Sequence, residues 1–301
     1  MTQYRAGIDF GGTKIEIAVL DRDGAVVLRH REPNPGTYDG AMRVIASLVN
    51  AAEAKLAARM TVGVGIPGAI MPSTGLVKNA NSTYLNGHPL DRELSALLER
   101  EVRVENDANC FALSEATDGA ATGKRVVFGV ILGTGCGGGI VVDGKVIGGL
   151  HSIAGEWGHN PLPWPRIDEF PMPRCFCGNV GCLERFVSGP ALAEDCDGPG
   201  HRDASGIPAR AAAGEERAIA ALERHADRLA RGLAQIINFL DPDAIVLGGG
   251  LSNMAHLYER VPALLPRNVI TDPVMTPILR NRHGDSSGVR GAAWLWPALA
   301  R

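Results

Sequence analysis

The sequence predicts an α/β protein with two lobes, and three observations support this prediction. Its 301 residues are enough for two domains, each with its own core. A unit of two strands joined by a glycine turn occurs twice, roughly 120 residues apart. In two other places a buried strand leads into a helix, in VRVENDANCFALSEA and in DAIVLGGGLSNMAHLYERV.

Composition and charge exclude several classes of function. Hydrophobic residues make up 45% of the chain and charged residues 21%, as is typical of a globular protein. The net charge of −3 provides no basic surface for nucleic acid or for an anionic membrane. The sequence contains no apolar run of about 18 residues and no signal-peptide pattern. We therefore expect a cytoplasmic enzyme or binding protein.

The first glycine unit lies at the start of the chain. The segment AGIDFGGTKIEIAVLDRDGAVVLRHRE predicts three strands. The first two are joined by a turn at Gly11, Gly12 and Thr13, which Lys14 follows, and a hairpin turn at Asp23–Gly24 precedes the third. Glycines in such a turn leave backbone N–H groups bare, so they can bind an anion.

The second glycine unit is GVILGTGCGGGIVVDGKVIGG, in which Gly133 aligns with Gly11. Its turn, Gly133-Thr134-Gly135, begins a match to the dinucleotide fingerprint G-x-G-x-x-G, which requires a helix after the turn. The residues that follow are apolar and β-branched, with a hairpin turn at Asp143–Gly144, and they predict a strand instead. NAD binding is therefore rejected.

Two such turns on opposite sides of a cleft would bind a polyphosphate between them. The two units differ at one position that bears on metal binding, where the first has Asp9 and the second has Ile131. A carboxylate beside phosphate suits magnesium, so we expect Mg²⁺ near Asp9. The alternative is two ordinary β-hairpins whose glycines serve only the turns.

A third glycine turn follows a predicted strand at 244–247 and consists of Gly248, Gly249 and Gly250. Glycine at these positions allows close approach of a flat ligand, which predicts a pocket for adenosine. Tight packing of the strand against the next helix is the alternative.

Asp107 is the candidate catalytic base. It follows a short strand and lies in the first turn of a predicted helix, where the helix dipole favours an ionised carboxylate. A carboxylate that accepts the proton of an attacking hydroxyl contributes roughly 10² to 10⁴ in rate. In phosphoryl transfer, positioning and charge neutralisation supply most of the rest. A simple helix cap is the alternative.

A cluster of metal-binding residues predicts a closed, structural zinc site with one imidazole and three thiolates. The set comprises His159, Cys175, Cys177 and Cys182. Gly178 and Gly181 would let the chain turn so that the sulfurs converge. The metal would order a proline-rich loop and would fix Glu156 and Glu184, whose carboxylates can accept hydrogen bonds from sugar hydroxyls. The alternatives are unligated cysteines and solvated surface carboxylates.

Six motifs together resemble the bacterial ROK family of repressors, open reading frames and sugar kinases: DFGGTK, ENDAN, LGTGCGGGI, AGEWGHN, CFCGNVGCLE and IVLGGGLSN. They cover nearly the whole chain, and the C-x-C-G-x-x-G-C-x-E segment is highly specific. The resemblance implies an actin-like, ribonuclease-H-like ATPase fold, in which two lobes with mixed sheets flank a nucleotide and sugar cleft. The first strand is expected by about residue 4, which leaves no room for the helix-turn-helix of the repressor branch.

The resemblance also implies the roles of individual residues. Asp107 resembles the family's catalytic base. Substrate contacts are expected from Asn81, Asn106, Asp107, Glu156, His159 and Glu184, with His159 also on the zinc. Cofactor-binding residues are expected at Asp9, Gly11, Gly12, Thr13, Lys14, Gly133, Thr134, Gly135, Gly248, Gly249 and Gly250.

We expect a small lobe of residues 1–118 plus 288–301, and a large lobe of residues 119–287 that carries the zinc loop. Residues 198–216, rich in Gly, Ala and Pro, predict a loop with short helical pieces and no chemistry. Beyond them, apolar residues spaced three and four apart from Ile219 to Leu240 predict a long helix buried in its lobe. A homodimer face is the alternative for this helix.

The segments NANSTYLNGHPL, GEWGHNPLPWP and HGDSSGVRGAAWLWP look most like the fructokinase or manno(fructo)kinase branch. The expected function is ATP-dependent phosphorylation of the 6-hydroxyl of a hexose, chiefly D-fructose and also mannose, with Mg²⁺ and a structural Zn²⁺. N-acetylglucosamine kinases share NDANCFALSEA and are close alternatives, as is glucokinase. The rival from another class is a non-catalytic sugar sensor. The cysteine set argues against an acetate-kinase-like or chaperone-type ATPase.

Overall fold

The computed structural model describes residues 3–297. The strands are β1 (Arg5–Phe10), β2 (Lys14–Leu20), β3 (Val26–Pro33), β4 (Thr61–Ile66), β5 (Ala69–Met71), β6 (Leu76–Lys78), β7 (Val102–Asn106), β8 (Val126–Leu132), β9 (Cys136–Val142), β10 (Lys145–Val146), β11 (Ala244–Gly248) and β12 (Ile278–Arg280). The α-helices are α1 (Tyr38–Leu56), α2 (Leu90–Leu97), α3 (Asp107–Thr117), α4 (Glu184–Val187), α5 (Gly189–Asp197), α6 (Ile207–Ala212), α7 (Glu216–Leu240), α8 (His256–Leu264) and α9 (Ser287–Trp294).

The strands form two large mixed sheets with the same topology. One has the order β3-β2-β1-β4-β7 and the other β10-β9-β8-β11-β12. In each sheet the two hairpin-connected pairs are antiparallel and the remaining pairs are parallel. The predicted duplication is therefore confirmed, and so is the α/β class with mixed sheets, which is the actin-like ATPase fold.

The two glycine turns occupy equivalent places in these sheets. Residues 11–13 connect β1 to β2, and residues 133–135 connect β8 to β9. Because a strand and not a helix follows the second turn, the rejection of the NAD-binding fingerprint is confirmed.

Helices α3 and α9 pack against each other between the two sheets. Helix α9 lies against β1 and β4 so closely that a Cβ on Gly7 would be 1.9 Å from the carbonyl oxygen of Val289. Helix α3 lies against β8, where a Cβ on Gly129 would be 2.6 Å from the Cβ of Ala112. A helix from the first part of the chain therefore packs on the second sheet. The division into lobes at residues 118 and 119 stays a prediction.

The long helix predicted from the apolar stripe is α7. Its Leu229, Leu233 and Ile237 are buried in the core of the second sheet. Near its ends Ile219 and Phe239 are 44% and 91% exposed. Burial in the lobe is thus confirmed for most of the stripe, and a homodimer face stays a prediction. Within residues 3–297, no helix combines the length and apolar character needed to cross a membrane.

The parallel strands determine where the site residues collect. Strands β1, β4 and β7 end at one edge of the first sheet, so Asp9, Gly68 and Asn106 lie near one another. Strands β8 and β11 likewise end together at the second and third glycine turns. In open α/β sheets, ligands bind outside the carboxyl ends of the strands.

Candidate functional site

Asp107 begins α3 directly after β7, as predicted, but it is not the helix cap. Asn106 is the cap, because its side-chain oxygen accepts hydrogen bonds from the N–H groups of Ala108 at 2.9 Å and Asn109 at 3.3 Å. The Asn106 amide nitrogen donates to the carbonyl oxygen of Gly68 at 3.0 Å. Asn106 therefore connects the end of β7 and the start of α3 to the segment that follows β4.

The Asp107 carboxylate is open to solvent on one side and surrounded by protein on the others. Burial raises its pKa from 3.8 to about 6; the N–H of Ala108 opposes this shift, and the negative charge of Glu156 adds to it. The Asp107 Oδ1 accepts the Ala108 N–H at 2.8 Å, which leaves Oδ2 for a ligand. A carboxylate with a pKa near 6 is ionised at neutral pH and is a stronger base than an ordinary aspartate.

Asp9 lies near Asp107 and shares its environment. The pKa of Asp9 is raised to about 6, chiefly by burial and also by the charges of Asp107 and Glu16, while Arg31 opposes the shift. Asp9 and Glu16 are direct cross-strand partners on β1 and β2. Carboxylates that raise one another's pKa provide the oxygen-rich, negative environment that a divalent cation neutralises. Asp9 therefore fits the predicted magnesium site.

Each of the three glycine turns contains one glycine that packing does not explain. A Cβ on Gly12, Gly133 or Gly250 would meet no atom within 4 Å. None of these three residues has a positive φ angle, so the backbone does not demand glycine either. Open space beside bare backbone is what close approach of a ligand needs. This observation favours a phosphate or nucleotide site over three ordinary turns.

Other glycines of the third turn have a packing role. A Cβ on Gly248 would lie 2.4 Å from the ring of Phe111. Gly249 has a φ of 77°, and its Cβ would lie 2.4 Å from the carbonyl oxygen of Leu132. Tight packing, the alternative interpretation, therefore explains these two residues.

The first turn is held by Asn34. Its side-chain amide donates to the carbonyl oxygen of Gly11 at 2.7 Å, and its backbone N–H donates to the carbonyl oxygen of Thr13 at 2.9 Å. The side chains of Thr13 and Lys14 are exposed beside the turn. The turn thus has a fixed backbone and accessible polar side chains.

The second turn is held by α4 and α5. The carbonyl oxygen of Gly133 accepts the N–H of Gly189 at 2.8 Å, and the Gly133 N–H donates to the carbonyl oxygen of Gly135 at 3.0 Å. Glu184 accepts the N–H of Cys136 at 2.9 Å through Oε2. One oxygen of Glu184, which the sequence predicted to bind sugar, is therefore committed to this turn.

A cavity of about 400 Å³ lies beside the second and third turns. It is lined by Gly133, Thr134, Gly189, Pro190, Arg202, Asp203, Ala204, Ser205, Gly250, Leu251 and Met254. Gly133, Thr134 and Gly250 were predicted, whereas residues 189–190 and 202–205 were not. Residues 198–216 were expected to carry no chemistry, and four of them form a wall of this cavity; whether they take part in binding stays a prediction. That segment contains no sequence motif, so only the folded structure shows that it lines the cavity.

Glu156 precedes a short 3₁₀ turn, Trp157–His159, and His159 is the last residue of that turn. Trp157 is buried, donates from its indole N–H to the carbonyl oxygen of Gly137 at 3.0 Å, and packs edge-on against Phe128. A rigid aromatic side chain thus fixes this turn to β9. The exposed Glu156 carboxylate is close enough to Asp107 to affect its pKa.

The predicted metal ligands converge. One ligand atom from each of His159, Cys175, Cys177 and Cys182 lies within 4.8 Å of all the others. The Cys177 and Cys182 sulfurs are 3.5 Å apart, and the Cys175 sulfur is 3.6 Å from the His159 Nδ1. Zn–S bonds of about 2.3 Å at tetrahedral angles place two sulfurs about 3.8 Å apart. The donor set and its spacing therefore fit zinc.

The loop that carries these ligands has a second attachment that the sequence did not reveal. Glu169 is buried and pairs with Arg228 and Arg231 of α7. Arg231 also donates to the carbonyl oxygens of Pro163 at 2.9 Å and Trp164 at 2.8 Å. The first half of the loop is thus attached to α7, whereas Cys175, Cys177 and Cys182 lie in its second half.

Asn81 is exposed in the segment after β6. Nearby, the Lys78 ammonium donates to the carbonyl oxygen of His151 at 2.7 Å. This contact joins the β6 segment to the loop that leads to Glu156. The sugar-binding role of Asn81 stays a prediction.

Comparison with known proteins places these features in a family. A model of the ROK family matches residues 5–298. The chain is 42% identical over 298 residues to the N-acetyl-D-glucosamine kinase of Citrobacter koseri, covering 96% of this chain and 98% of that protein.

Solved structures give the same result. A ROK hexokinase from Thermus thermophilus matches with a TM-score of 0.85 and 30% identity over 96% of each chain. A ROK family glucokinase from Streptomyces griseus, solved with glucose and AMPPNP, matches with a TM-score of 0.76 and 27% identity, covering 97% of this chain and 98% of that one. With the motifs, the duplicated sheets and the clustered cysteines, these matches show that the chain belongs to the ROK family.

Proposed function

We propose that this protein is an ATP-dependent kinase that phosphorylates the 6-hydroxyl of N-acetyl-D-glucosamine. The observation that carries the proposal is the position of Asp107, a carboxylate with a raised pKa that lies near Asp9 and Glu156 where β1 and β7 end. The choice of sugar is supported by the Citrobacter koseri relative, which is named N-acetyl-D-glucosamine kinase. Fructose, the main expectation from the sequence, has less support, because similar relatives carry the name of the alternative.

The chemistry follows from the free oxygen of Asp107. Its Oδ2 accepts the proton of the sugar 6-hydroxyl while that oxygen forms a bond to the γ-phosphorus of ATP. The bond from the γ-phosphorus to the bridging oxygen breaks, and ADP leaves with the electron pair. The phosphates would lie against the open backbone beside Gly12 and Gly133 during this step. Magnesium near Asp9 would supply neutralisation of the phosphate charge.

The sugar would be held by side chains that the fold has already fixed. Glu156 accepts hydrogen bonds from hydroxyl groups, and Asn106 contributes its amide group. His159 turns Nδ1 toward Cys175, so its Nε2 is left for the sugar. Glu184 contributes the oxygen that does not bind Cys136, and Asn81 approaches from the β6 side.

The adenosine of ATP would occupy the cavity beside Gly133 and Gly250. Its volume of about 400 Å³ lies within the range of small-molecule sites. Zinc on the His159 and cysteine set would be structural, because four protein ligands leave no open position. The zinc loop would then keep Glu156 and His159 in place for the sugar.

A kinetic comparison of sugars tests the proposal. The rate of ADP formation is measured with ATP, Mg²⁺ and N-acetylglucosamine, glucose, mannose, N-acetylmannosamine or fructose, with Asp107→Asn as the control for contaminating kinases. We expect the highest kcat/KM with N-acetylglucosamine. A kcat/KM at least tenfold higher with fructose or mannose would contradict the choice of sugar. Sugar binding without turnover on any sugar would contradict the kinase itself and favour the sensor.

A further inference from the structure

We propose that Asp203 binds a hydroxyl of the ATP ribose, and that it thereby makes the protein prefer ribonucleotides to their deoxy analogues. The inference rests on the proposed nucleotide site and extends it to a segment without a sequence motif. Asp203 belongs to the wall of the cavity formed by residues 202–205.

The cavity has an apolar interior and a polar rim. Ala204, Leu251 and Met254 are 4%, 5% and 7% exposed. Pro190 is also buried. These apolar side chains can pack against the flat faces of a nucleotide base, because burying those faces away from water is favourable in free energy. Arg202, Asp203 and Ser205 are exposed, so they lie where the sugar of a nucleotide with a buried base would lie.

The charge of Asp203 restricts which part of ATP it can contact. An ionised carboxylate only accepts hydrogen bonds, and it repels phosphate. The N–H of Ser205 lowers the pKa of Asp203, which is therefore ionised at neutral pH. The triphosphate is assigned to the glycine turns, so the donors left for Asp203 are the ribose hydroxyls and the amino group of adenine. The buried interior takes the base, which leaves the ribose at the rim.

The Asp203 side chain is oriented before any ligand arrives. Its Oδ1 accepts the Ser205 N–H at 2.9 Å. That bond and the Ser205 side chain orient the carboxylate. A carboxylate has about four lone-pair positions, so it can still accept from a ribose hydroxyl. Losing a hydrogen bond to a charged group should weaken binding roughly tenfold.

The test measures nucleotide binding by calorimetry, which is independent of the sugar. ATP, 2′-deoxyATP, 3′-deoxyATP and inosine triphosphate are each titrated with Mg²⁺ into the wild type and into Asp203→Ala and Asp203→Asn. The control is Asp21→Asn. The Asp21 Oδ1 accepts the backbone N–H of Asp23 at 3.0 Å, just as the Asp203 Oδ1 accepts that of Ser205, but Asp21 lies on the hairpin between β2 and β3.

We expect the wild type to bind at least one deoxy analogue about tenfold more weakly than ATP. Asp203→Ala should bind ATP as weakly as that analogue, and Asp21→Asn should behave as wild type. Equal binding of ATP and both deoxy analogues by the wild type would overturn the inference. So would an Asp203 variant that changes only the discrimination against inosine triphosphate, since that result would assign Asp203 to the base. Failure of every nucleotide to bind the wild type would instead contradict the proposed kinase.

Discussion

Glu184 accepts a hydrogen bond from the backbone N–H of Cys136, with 2.9 Å between Oε2 and the nitrogen. Glu184 begins α4, two residues after the proposed zinc ligand Cys182. Cys136 begins β9, directly after the second glycine turn. The bond therefore connects the zinc loop to the turn that is proposed to bind phosphate, so the sugar and nucleotide sites are not independent.

Replacing Glu184 by alanine should weaken both sites at once. The Cys136 N–H loses a charged acceptor, which costs about 1.5–3 kcal/mol, and the turn loses its support. We expect KM to rise roughly tenfold for ATP and also to rise for the sugar, as measured by steady-state kinetics. The control is Glu194→Ala, whose carboxylate pairs with Arg185 near the surface. If the two variants have equal kinetic constants, Glu184 does not support the sugar and nucleotide sites.

Gly12→Ala should lose nucleotide affinity without losing stability. A methyl group there meets no protein atom within 4 Å, and the backbone has no positive φ angle. The substitution should therefore leave the free energy of unfolding unchanged or raise it by about 0.4–1 kcal/mol. The same methyl group would block the approach of phosphate, so KM for ATP should rise about tenfold or more.

Gly148→Ala provides the control, because Gly148 has equally open surroundings and belongs to none of the three glycine turns. Unfolding curves and ATP kinetics are measured for both variants. If Gly12→Ala binds ATP as the wild type does, then the open space at the first turn is not a phosphate site.

The sequence predicted the parts of this site that depend on local pattern. Alternating apolar residues around Gly11 and Gly133 predicted the duplicated strands, and the spacing of the cysteines predicted their convergence. It could not predict contacts that depend on the fold alone. The pairing of Glu169 with Arg231, and the approach of Asp203 to the second and third glycine turns, join segments that share no pattern.

In two of the predicted sugar contacts, part of the side chain already has a partner in the folded protein. Asn106 was predicted to bind sugar, and its side-chain oxygen also caps α3. Glu184 was also predicted to bind sugar, and one of its oxygens binds Cys136. Sequence motifs identify residues that matter, but they do not show which atoms of a side chain stay free.

Loss of the metal should disorder only part of the zinc loop. In Cys177→Ser, we expect zinc content to fall from one ion per chain, as measured by plasma mass spectrometry. Limited proteolysis should then cut within residues 170–182. It should spare residues 163–169, because Arg228 and Arg231 still hold Glu169. Sugar affinity should fall because His159 loses its fixed position.

The control is Cys196→Ser, which removes a buried cysteine outside the cluster. Unchanged sugar affinity and unchanged proteolysis after verified loss of zinc would contradict the structural role of the metal. Cleavage within residues 163–169 would contradict the role of the Glu169 pairing.

Activity should fall in mild acid while the fold stays intact. The pKa values of Asp107 and Asp9 are about 6, above the ordinary 3.8. Below pH 6 Asp107 takes up a proton and cannot act as a base, so the fall in kcat/KM should approach about tenfold per pH unit, the limit for one proton. Stability changes in the opposite sense. A carboxyl group whose pKa is raised in the fold stabilises it below its unfolded pKa, and this contribution is lost as the pH rises through 6.

The measurement is kcat/KM and the thermal midpoint between pH 5 and pH 8. We expect kcat/KM to decline below about pH 6 without a matching fall in the thermal midpoint. A constant kcat/KM down to pH 5, or a decline that follows unfolding, would contradict the assignment of Asp107.

The most direct test of the kinase mechanism is the turnover of Asp107→Asn. The amide keeps the shape of the side chain but cannot accept the hydroxyl proton, so kcat with N-acetylglucosamine and ATP should fall by roughly 10² or more. Sugar binding by calorimetry should persist, and the thermal midpoint at pH 8 should be unchanged or higher because a buried charge is removed. The control is Asp168→Asn, at an exposed aspartate that has no proposed role in binding or catalysis. This variant should behave as wild type. An Asp107→Asn protein with near-normal kcat would contradict the account.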